Sequence, residues 1–236
     1  MMALPEPPSG VTIRDATQWD VAPVAGILAC TVLPTSIGTW LESDPLVRGG
    51  QLHAFYLDRV REALRHGAVR LADVAGATIG AAVWLPCTDP AADAPMAVAG
   101  AGVALRMSQM EAVVWRPHLS QPHLRLAGLG VLLHQRHHGV ATALLTEHLH
   151  GLLHSARCLA VEASLTGLCA RCGYRPHGEA VRLTPGGVIV QPMLRGPGGP
   201  VARARNSAAA RYPSGPAPHR AAYGAAPVRE ATGDKP

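Results

Sequence analysis

The chain has 236 residues, which is enough for one or two domains, and a net charge of +5. Residues 196–236 carry six Arg and Lys side chains against two acidic ones, so the rest of the chain is close to neutral. This distribution gives no indication of a nucleic-acid partner. The largely apolar stretch Ala94–Leu105 is too short to span a membrane, so no membrane partner is predicted.

Cysteine and histidine usage favours a metal-free cytoplasmic protein. The five cysteines are an odd number, and the sequence shows no secretory signal, so we expect reduced thiols and a cytoplasmic location. Cys169 and Cys172 have the spacing of zinc ligands but lack a second such pair, so no metal site is predicted. Three histidines at helical spacings could also be ligands, but surface positions are the simpler interpretation: His148, His150 and His154.

Both ends of the chain differ in composition from its middle. Residues 1–10 are rich in proline and are predicted to form a flexible lead. Residues 196–236 are rich in Gly, Pro, Ala, Ser and Arg without an apolar period. Such a segment buries too little apolar surface to offset the entropy lost on ordering, which predicts a disordered tail. One folded domain is therefore expected over residues 11–195.

The first half of that domain alternates apolar periods of strand and helix type. Pro34 and Gly67 are the strongest stop signals in it. The elements predicted there are, in order, a strand Val11–Arg14, a helix from about Asp20 to Pro34, a connection Thr35–Gly50, a helix Gln51–Arg65, and a hairpin of strands Ala68–Ala72 and Ala77–Leu85.

The second half begins with an Ala-, Val- and Met-rich stretch that predicts one or two helices covering a sheet. A strand predicted from Leu124, called the central strand below, is followed by a crossover helix. The next strand along the chain should therefore lie parallel to it. The elements predicted there are helices within Ala92–Trp115, a strand from Leu124, a helix extending to about Ala156, a strand Cys158–Ser164, a short helix Leu165–Cys172, and a closing hairpin of Val181–Leu183 and Val188–Val190.

The central strand leads into a turn that has the composition of an anion site. Arg136, Gly139 and Ala141 supply a cation, a glycine and a small residue where the helix begins. Unpaired amides at a helix start, together with the positive end of its dipole, favour a phosphate group. The pattern is short, and an ordinary strand-to-helix turn closed by a glycine is the alternative interpretation.

Several sequence motifs, together with the order of the predicted elements, resemble the GNAT superfamily of acyl-CoA-dependent N-acyltransferases. Leu129–Val131 before the Arg136–Ala141 turn resembles the family's cofactor strand and pyrophosphate loop, and Leu159–Ser164 followed by Arg171–Tyr174 resembles its next strand and terminal pattern. The resemblance covers about Val11 to Leu194. Two further strings are similar to the puromycin N-acetyltransferase-like branch: Ala81–Pro86, and Met110-Glu111 with the later Pro117-His118 and Pro122-His123.

The resemblance implies an α/β fold in the broad sense, with a mixed, mostly antiparallel sheet flanked by helices. It also implies acetyl-CoA as the acyl donor, whose pantetheine arm pairs with the backbone near Leu129 and Val131. The pyrophosphate is then expected on backbone amides of the turn, assisted by the side chain of Arg136. Those amides belong to His137, His138, Gly139, Val140, Ala141 and Thr142.

The family's catalytic tyrosine, which protonates the departing thiolate, is replaced here by Cys169. The family's usual asparagine after the strand is also missing. Three possibilities remain: Cys169 donates the proton, water donates it, or the chain binds acyl-CoA without turnover. Glu162 is the best candidate for the base, with a structural hydrogen bond as its alternative role, and Glu111 is the second candidate.

The resemblance places three residues on the elements that wall the acceptor side: Trp40, Asp44 and Tyr56. Core packing is the alternative for the two aromatic residues, and capping of a turn is the alternative for Asp44. The predicted function is transfer of an acetyl group from acetyl-CoA to a primary amine of a small molecule, such as an antibiotic or a metabolite. The alternative is a catalytically degenerate acyl-CoA-binding or interaction protein, and the sequence leaves monomer and homodimer open.

Overall fold

A computed structural model of the chain describes residues 10–87, 102–114, 122–147, 156–184 and 186–196. The predicted lead and tail therefore lie outside the described residues, apart from Gly10 and Gly196. The same is true of His148, His150 and His154, and of the first part of the stretch in which helices were expected before Trp115.

The described residues contain eight strands, which are β1 Val11–Asp15, β2 Ala68–Val74, β3 Ala77–Cys87, β4 His123–Val131, β5 Ala156–Glu162, β6 Arg175–Pro176, β7 Val181–Leu183 and β8 Val188–Arg195. They form one sheet in the order β1-β2-β3-β4-β5-β8-β6, with β7 paired to β8. Only β4 and β5 are parallel, and every other pair is antiparallel. This confirms the predicted mixed, mostly antiparallel sheet.

Helices cover both faces of the sheet, and each face has its own apolar cluster. The described helices are α1 Val21–Val32, α2 Ser36–Leu41, α3 Pro45–His66, α4 Val103–Val114, α5 Val140–Thr146 and α6 Thr166–Arg171. The first four pack against one face and the last two against the other. No helix within the described ranges is long and apolar enough to cross a membrane.

The connection predicted over Thr35–Gly50 is wrong, because α2 and the start of α3 occupy it. Thr35 caps α2, since its Oγ1 accepts a hydrogen bond from the amide of Gly38 at 3.0 Å. Asp44 caps α3 in the same way, with its Oδ1 accepting from the amide of Leu46 at 2.9 Å. Pro45 then occupies the first helical position, where its missing N–H costs nothing.

The segment between the two parallel strands also differs from expectation. α5 ends at Thr146 within the described residues, and Ala156 already belongs to β5, so the helix does not reach Ala156 as predicted. The strand expected over Cys158–Ser164 begins two residues earlier and ends at Glu162, where a short 3-10 turn follows. The closing hairpin was predicted correctly, and the short edge strand β6 was not predicted.

Candidate functional site

The two parallel strands separate from each other before either one ends. They pair only where His123–Arg125 faces Ala156–Cys158. Beyond these residues, Leu126–Val131 and Leu159–Glu162 continue without pairing to each other. Because the strands are parallel, both of their carboxyl ends lie at the open end. The result is a gap between the carboxyl-terminal parts of β4 and β5.

A bulge in β4 gives this separation a local cause. Val83 faces Gly128, whereas the next residue of β3, Trp84, faces Leu126, so Ala127 is one residue in excess. A bulged strand bends and twists more strongly at the extra residue. The bulge lies two residues after Arg125, the last residue of β4 that pairs with β5, so it bends β4 where the gap opens.

The direction of the backbone in β4 follows from the end of its ladder with β3. The amide of Leu132 donates to the carbonyl oxygen of Ile79 at 2.9 Å, so Leu132 points its backbone groups toward β3. Because successive residues of a strand point these groups to opposite edges, Gly130 also faces β3. Leu129 and Val131 then direct their N–H and C=O groups into the gap.

Two glycines in β4 allow α1 and α3 to pack closely against one face of this strand. A Cβ at Gly128 would lie 3.1 Å from Cδ1 of Leu28 and 3.2 Å from Cε1 of Tyr56. A Cβ at Gly130 would lie 3.0 Å from Oγ1 of Thr31. Tyr56 is therefore a buried packing residue below β4, and burial raises the pKa of its phenol. The role of these glycines in close packing was not predicted from the sequence.

The turn before α5 leaves several amides without helical partners. Two residues have left-handed backbone conformations, His137 with φ 68° and Gly139 with φ 80°. The first hydrogen bond of the helix runs from the amide of Ala143 to the carbonyl of Gly139 at 2.9 Å. Gly139 has no side chain with which to cap the helix. The amides that lack an intrahelical acceptor are those of Val140, Ala141 and Thr142.

Arg136 lies between this turn and the gap. Its Nε donates a long hydrogen bond of 3.4 Å to the carbonyl oxygen of Val131, which is a gap-facing group. The side chain is half-buried, as is His138, whereas His137 and Gly139 are exposed. The structure thus brings the predicted donor-site residues together. They are the gap-facing backbone of Leu129 and Val131, the side chain of Arg136, and the amides of the turn.

Glu162 ends β5 at the open end of the gap and holds the start of α2. Its Oε1 accepts hydrogen bonds from Oγ of Ser36 and from the amide of Ile37, both at 2.9 Å. The second carboxylate oxygen makes no hydrogen bond to a described residue. Glu162 therefore joins the strand to the helix and keeps one oxygen available. The other acidic candidate, Glu111, forms an ion pair of 3.5 Å with Arg125 at the closed end of the gap.

Cys169 is enclosed in the apolar cluster beside α5 and α6. Its exposed fraction is 1%. Burial raises the pKa of its thiol to about 12, the nearby Cys172 raises it further, and Arg171 opposes the shift. Tyr174 lies in the same cluster and is also buried, which raises the pKa of its phenol. A thiol in these surroundings holds its proton firmly at neutral pH.

A cavity of about 600 Å³ lies on the side of the sheet covered by α1 to α4. Its size is typical of a small-molecule site. Ser36 belongs to its wall and is bonded to Glu162, so the cavity adjoins the open end of the gap. The lining residues are Pro34, Thr35, Ser36, Thr39, Trp40, Ser43, Arg106, Gly186 and Val188.

Of the three predicted acceptor residues, only Trp40 lines this cavity. Asp44 is exposed and caps α3, and Tyr56 lies below β4. Arg106 lines the cavity and was not singled out in the sequence. The only sign in the sequence that Arg106 could belong to a site was its charge within an otherwise apolar helical stretch.

Among the residues described here, no group of three or more His, Cys, Asp or Glu side chains has an arrangement that could hold a metal ion. The Cys169 and Cys172 thiols lie in the apolar cluster.

The sequence matches no protein-family model and no curated protein. Solved structures do match it. One is described as histone acetyltransferase HPA2 and related acetyltransferase from Corynebacterium glutamicum, with 23% identity and a TM-score of 0.61 over 81% of this chain and 98% of that one. Another is a polyamine N-acetyltransferase of Drosophila melanogaster that catalyses formation of N-acetylagmatine, with 19% identity and a TM-score of 0.60 over 78% and 98%.

A third match is an acetyltransferase of the GNAT family from Streptococcus agalactiae, with 12% identity and a TM-score of 0.51 over 80% of this chain and 96% of that one. These chains are matched over nearly their whole length. At such identities the similarity establishes a common fold, and the resemblance to the puromycin N-acetyltransferase-like branch stays a prediction.

Proposed function

We propose that this chain, which has the GNAT fold, transfers an acetyl group from acetyl-CoA to a primary amine of a small molecule. The observation that carries the proposal is the gap between β4 and β5, where two parallel strands separate beside the Arg136–Thr142 turn. We further propose a cytoplasmic location, in keeping with the odd number of cysteines in the sequence.

The donor side of the proposed site consists mainly of backbone. Leu129 and Val131 offer N–H and C=O groups to the amides of a pantetheine arm, which would lie in the gap like an added strand. The amides of Val140, Ala141 and Thr142 face a pyrophosphate, with Arg136 as the charged partner. The positive end of a helix dipole stabilises a nearby anion by about 0.3–1 kcal/mol. The charge-assisted contact of Arg136 therefore matters at least as much.

The acceptor would approach from the opposite face. The donor turn lies with α5 on one face of the sheet, and the cavity lies with α2 and α4 on the other. A gap in the sheet is the passage through which both substrates reach each other. Glu162, at the end of β5, stands where the cavity and the gap adjoin.

The proposed reaction needs a base for the amine and a proton for the thiolate. The bound thioester supplies the acyl carbon, to which the nitrogen bonds as the C–S bond breaks. We assign the free oxygen of Glu162 to accept the amine proton, directly or through water. We assign protonation of the thiolate to water, because a Cys169 thiol with a pKa of about 12 is a weak acid at neutral pH.

The test is release of free thiol from acetyl-CoA when purified protein is mixed with a panel of small primary amines. We expect thiol release that depends on the amine. Arg136→Gln should weaken this activity mainly by raising the KM for acetyl-CoA. Arg175→Gln is the matched control, because this exposed arginine belongs to the edge strand β6. An absence of thiol release with every amine, or equal effects of both variants, would contradict the proposal.

A protein that binds acyl-CoA without turnover is the second candidate. Its support is the buried Cys169 at the position where the resembled family has its tyrosine. Thermal unfolding with and without acetyl-CoA separates the two. A ligand that binds only the folded state raises Tm with concentration. A raised Tm together with no thiol release would favour the binding protein over the enzyme.

A further inference from the structure

The cavity beside α2 carries one positive charge that no described carboxylate neutralises. Arg106 is the only charged residue among the described residues that line it. Its guanidinium donates from Nη1 to the backbone carbonyl of Trp40 and lies over the Trp40 ring, 5.9 Å from the ring centroid. These contacts hold the guanidinium against α2 and leave its charge without a carboxylate partner in the described part of the chain.

The other polar side-chain groups of the cavity wall are four hydroxyls and the indole N–H of Trp40, which has no hydrogen-bond acceptor among the described residues. Thr35 donates to the carbonyl of Val32 at 2.7 Å, and Ser36 donates to Glu162. Thr39 and Ser43 complete the set. No described lining residue is acidic, so an ammonium tail would find no opposite charge there. A half-buried guanidinium favours a carboxylate, which accepts its charge-assisted hydrogen bonds.

We propose that the acceptor is an amine that also carries a carboxylate, and that Arg106, which hydrogen-bonds Trp40 one helical turn from Ser36, binds this carboxylate within the cavity. The inference rests on the proposed function and deepens it. Ser36 and Glu162 mark the end of the cavity near the gap, where the reacting amine would lie. Arg106 is thus a specificity-determining residue that acts on the tail of the acceptor and not on the reacting atoms.

Three benzylamines of nearly equal size test the proposal. They carry a carboxylate, a hydroxymethyl group or a second aminomethyl group at the meta position. We expect the full-length protein to acetylate the carboxylate with a kcat/KM at least about tenfold above that of the alcohol, and the diamine to be the poorest. Equilibrium binding of the three amines is measured in parallel without acetyl-CoA, and the same order is expected.

Charge variants assign the preference to one residue. Arg106→Gln should abolish the preference for the carboxylate, Arg106→Lys should retain part of it, and Arg106→Glu should favour the diamine. Arg59→Gln is the control, because Arg59 also lies over an aromatic ring, 5.2 Å from the centroid of Phe55, but does not line the cavity. Each variant is first checked for an unchanged thermal unfolding profile.

The outcomes separate the inference from the proposed function. Equal binding of the three amines, no binding of any, preferred binding of the diamine, or a carboxylate preference that persists in Arg106→Gln would overturn the inference. A changed KM for acetyl-CoA in Arg106→Gln without any change in acceptor binding would do so too, since the arginine would then serve the donor. Preferred binding of the carboxylate without thiol release would leave Arg106 assigned as a carboxylate-binding residue but would remove the proposed function.

Discussion

At the scale of single residues, Glu162 combines a structural and a chemical role in one carboxylate. Oε1 holds Ser36 and Ile37, and the other oxygen is available for a proton. Glu162→Gln keeps an oxygen acceptor for α2 but removes the base, so we expect kcat to fall about 100-fold or more with little change in Tm. Steady-state kinetics and thermal unfolding measure the two effects.

Glu162→Ala is the companion variant, because it removes the contact to α2 as well. We expect it to lower both kcat and Tm. A Gln variant with normal kcat beside an impaired Ala variant would show that Glu162 only positions α2, and would return the proton transfer to water.

Cys169 provides a second prediction at this scale. Because burial holds the pKa of the thiol near 12, the thiol should contribute little as an acid. Cys169→Ala is therefore expected to change kcat by less than about twofold, far below the roughly 100-fold or greater loss expected when a general acid is removed. Cys30→Ala, at an exposed position of α1, is the control for handling of thiol variants. A large loss in Cys169→Ala alone would restore the cysteine as proton donor.

At the scale of elements, an ion-pair network joins β1, the turn before α1 and β2. The carboxylate of Asp20 accepts from both terminal nitrogens of Arg14 at 2.9 Å and from the amide of Thr17 at 2.8 Å, while Arg14 also bonds Asp73 at 2.7 Å. The hydrogen bond from Arg14, opposed in part by burial, holds the pKa of Asp20 well below its usual range. The network thus fixes the entry of α1.

Asp20→Asn should destabilise the protein by roughly 1 kcal/mol at pH 7, because it weakens the hydrogen bonds from Arg14 and from the amide of Thr17. Since the pKa of Asp20 is lowered in the folded state, its contribution is present in full above the unfolded pKa of about 3.9 and declines progressively as pH falls from there through the lower folded-state pKa. Urea unfolding at pH 6 and pH 3 should show a narrowing difference between variant and parent.

Asp58→Asn is the control, because Asp58 pairs with Arg61 on the exposed face of α3 at 3.2 Å. A surface pair of this kind contributes little. A difference between Asp20→Asn and the parent that stays constant with pH would contradict the assigned network.

The elements that the sequence predicted were those with a long apolar period. α1 and the β2–β3 hairpin appeared close to their predicted positions. The connection predicted over Thr35–Gly50 failed because its glycines suggested a loop. The capping pattern of Asp44 followed by Pro45 contained the signal for α3, and Thr35 contained that for α2. The end of the helix α5 had no such signal, since a run of leucines continues beyond Thr146.

At the scale of the whole molecule, the sheet separates two faces and the gap connects them. The sequence predicted the parallel pair from the spacing of its strands, and the resemblance predicted the donor residues. The sequence did not predict the cavity, because its lining residues come from distant parts of the chain and meet only in the fold. Examples are Trp40, Arg106 and Val188. Nor did it predict the burial of Cys169, which depends on how α6 packs against α5.

The central claim is that acetyl-CoA lies along the open edge of β4, and residue-resolved amide hydrogen exchange tests it most directly. The gap-facing amides of Leu129 and Val131 should exchange quickly in the free protein and much more slowly with saturating acetyl-CoA. The amide of Gly130, which faces β3, should change little. Binding of acetyl-CoA that leaves the exchange of Leu129 and Val131 unaltered would contradict the account.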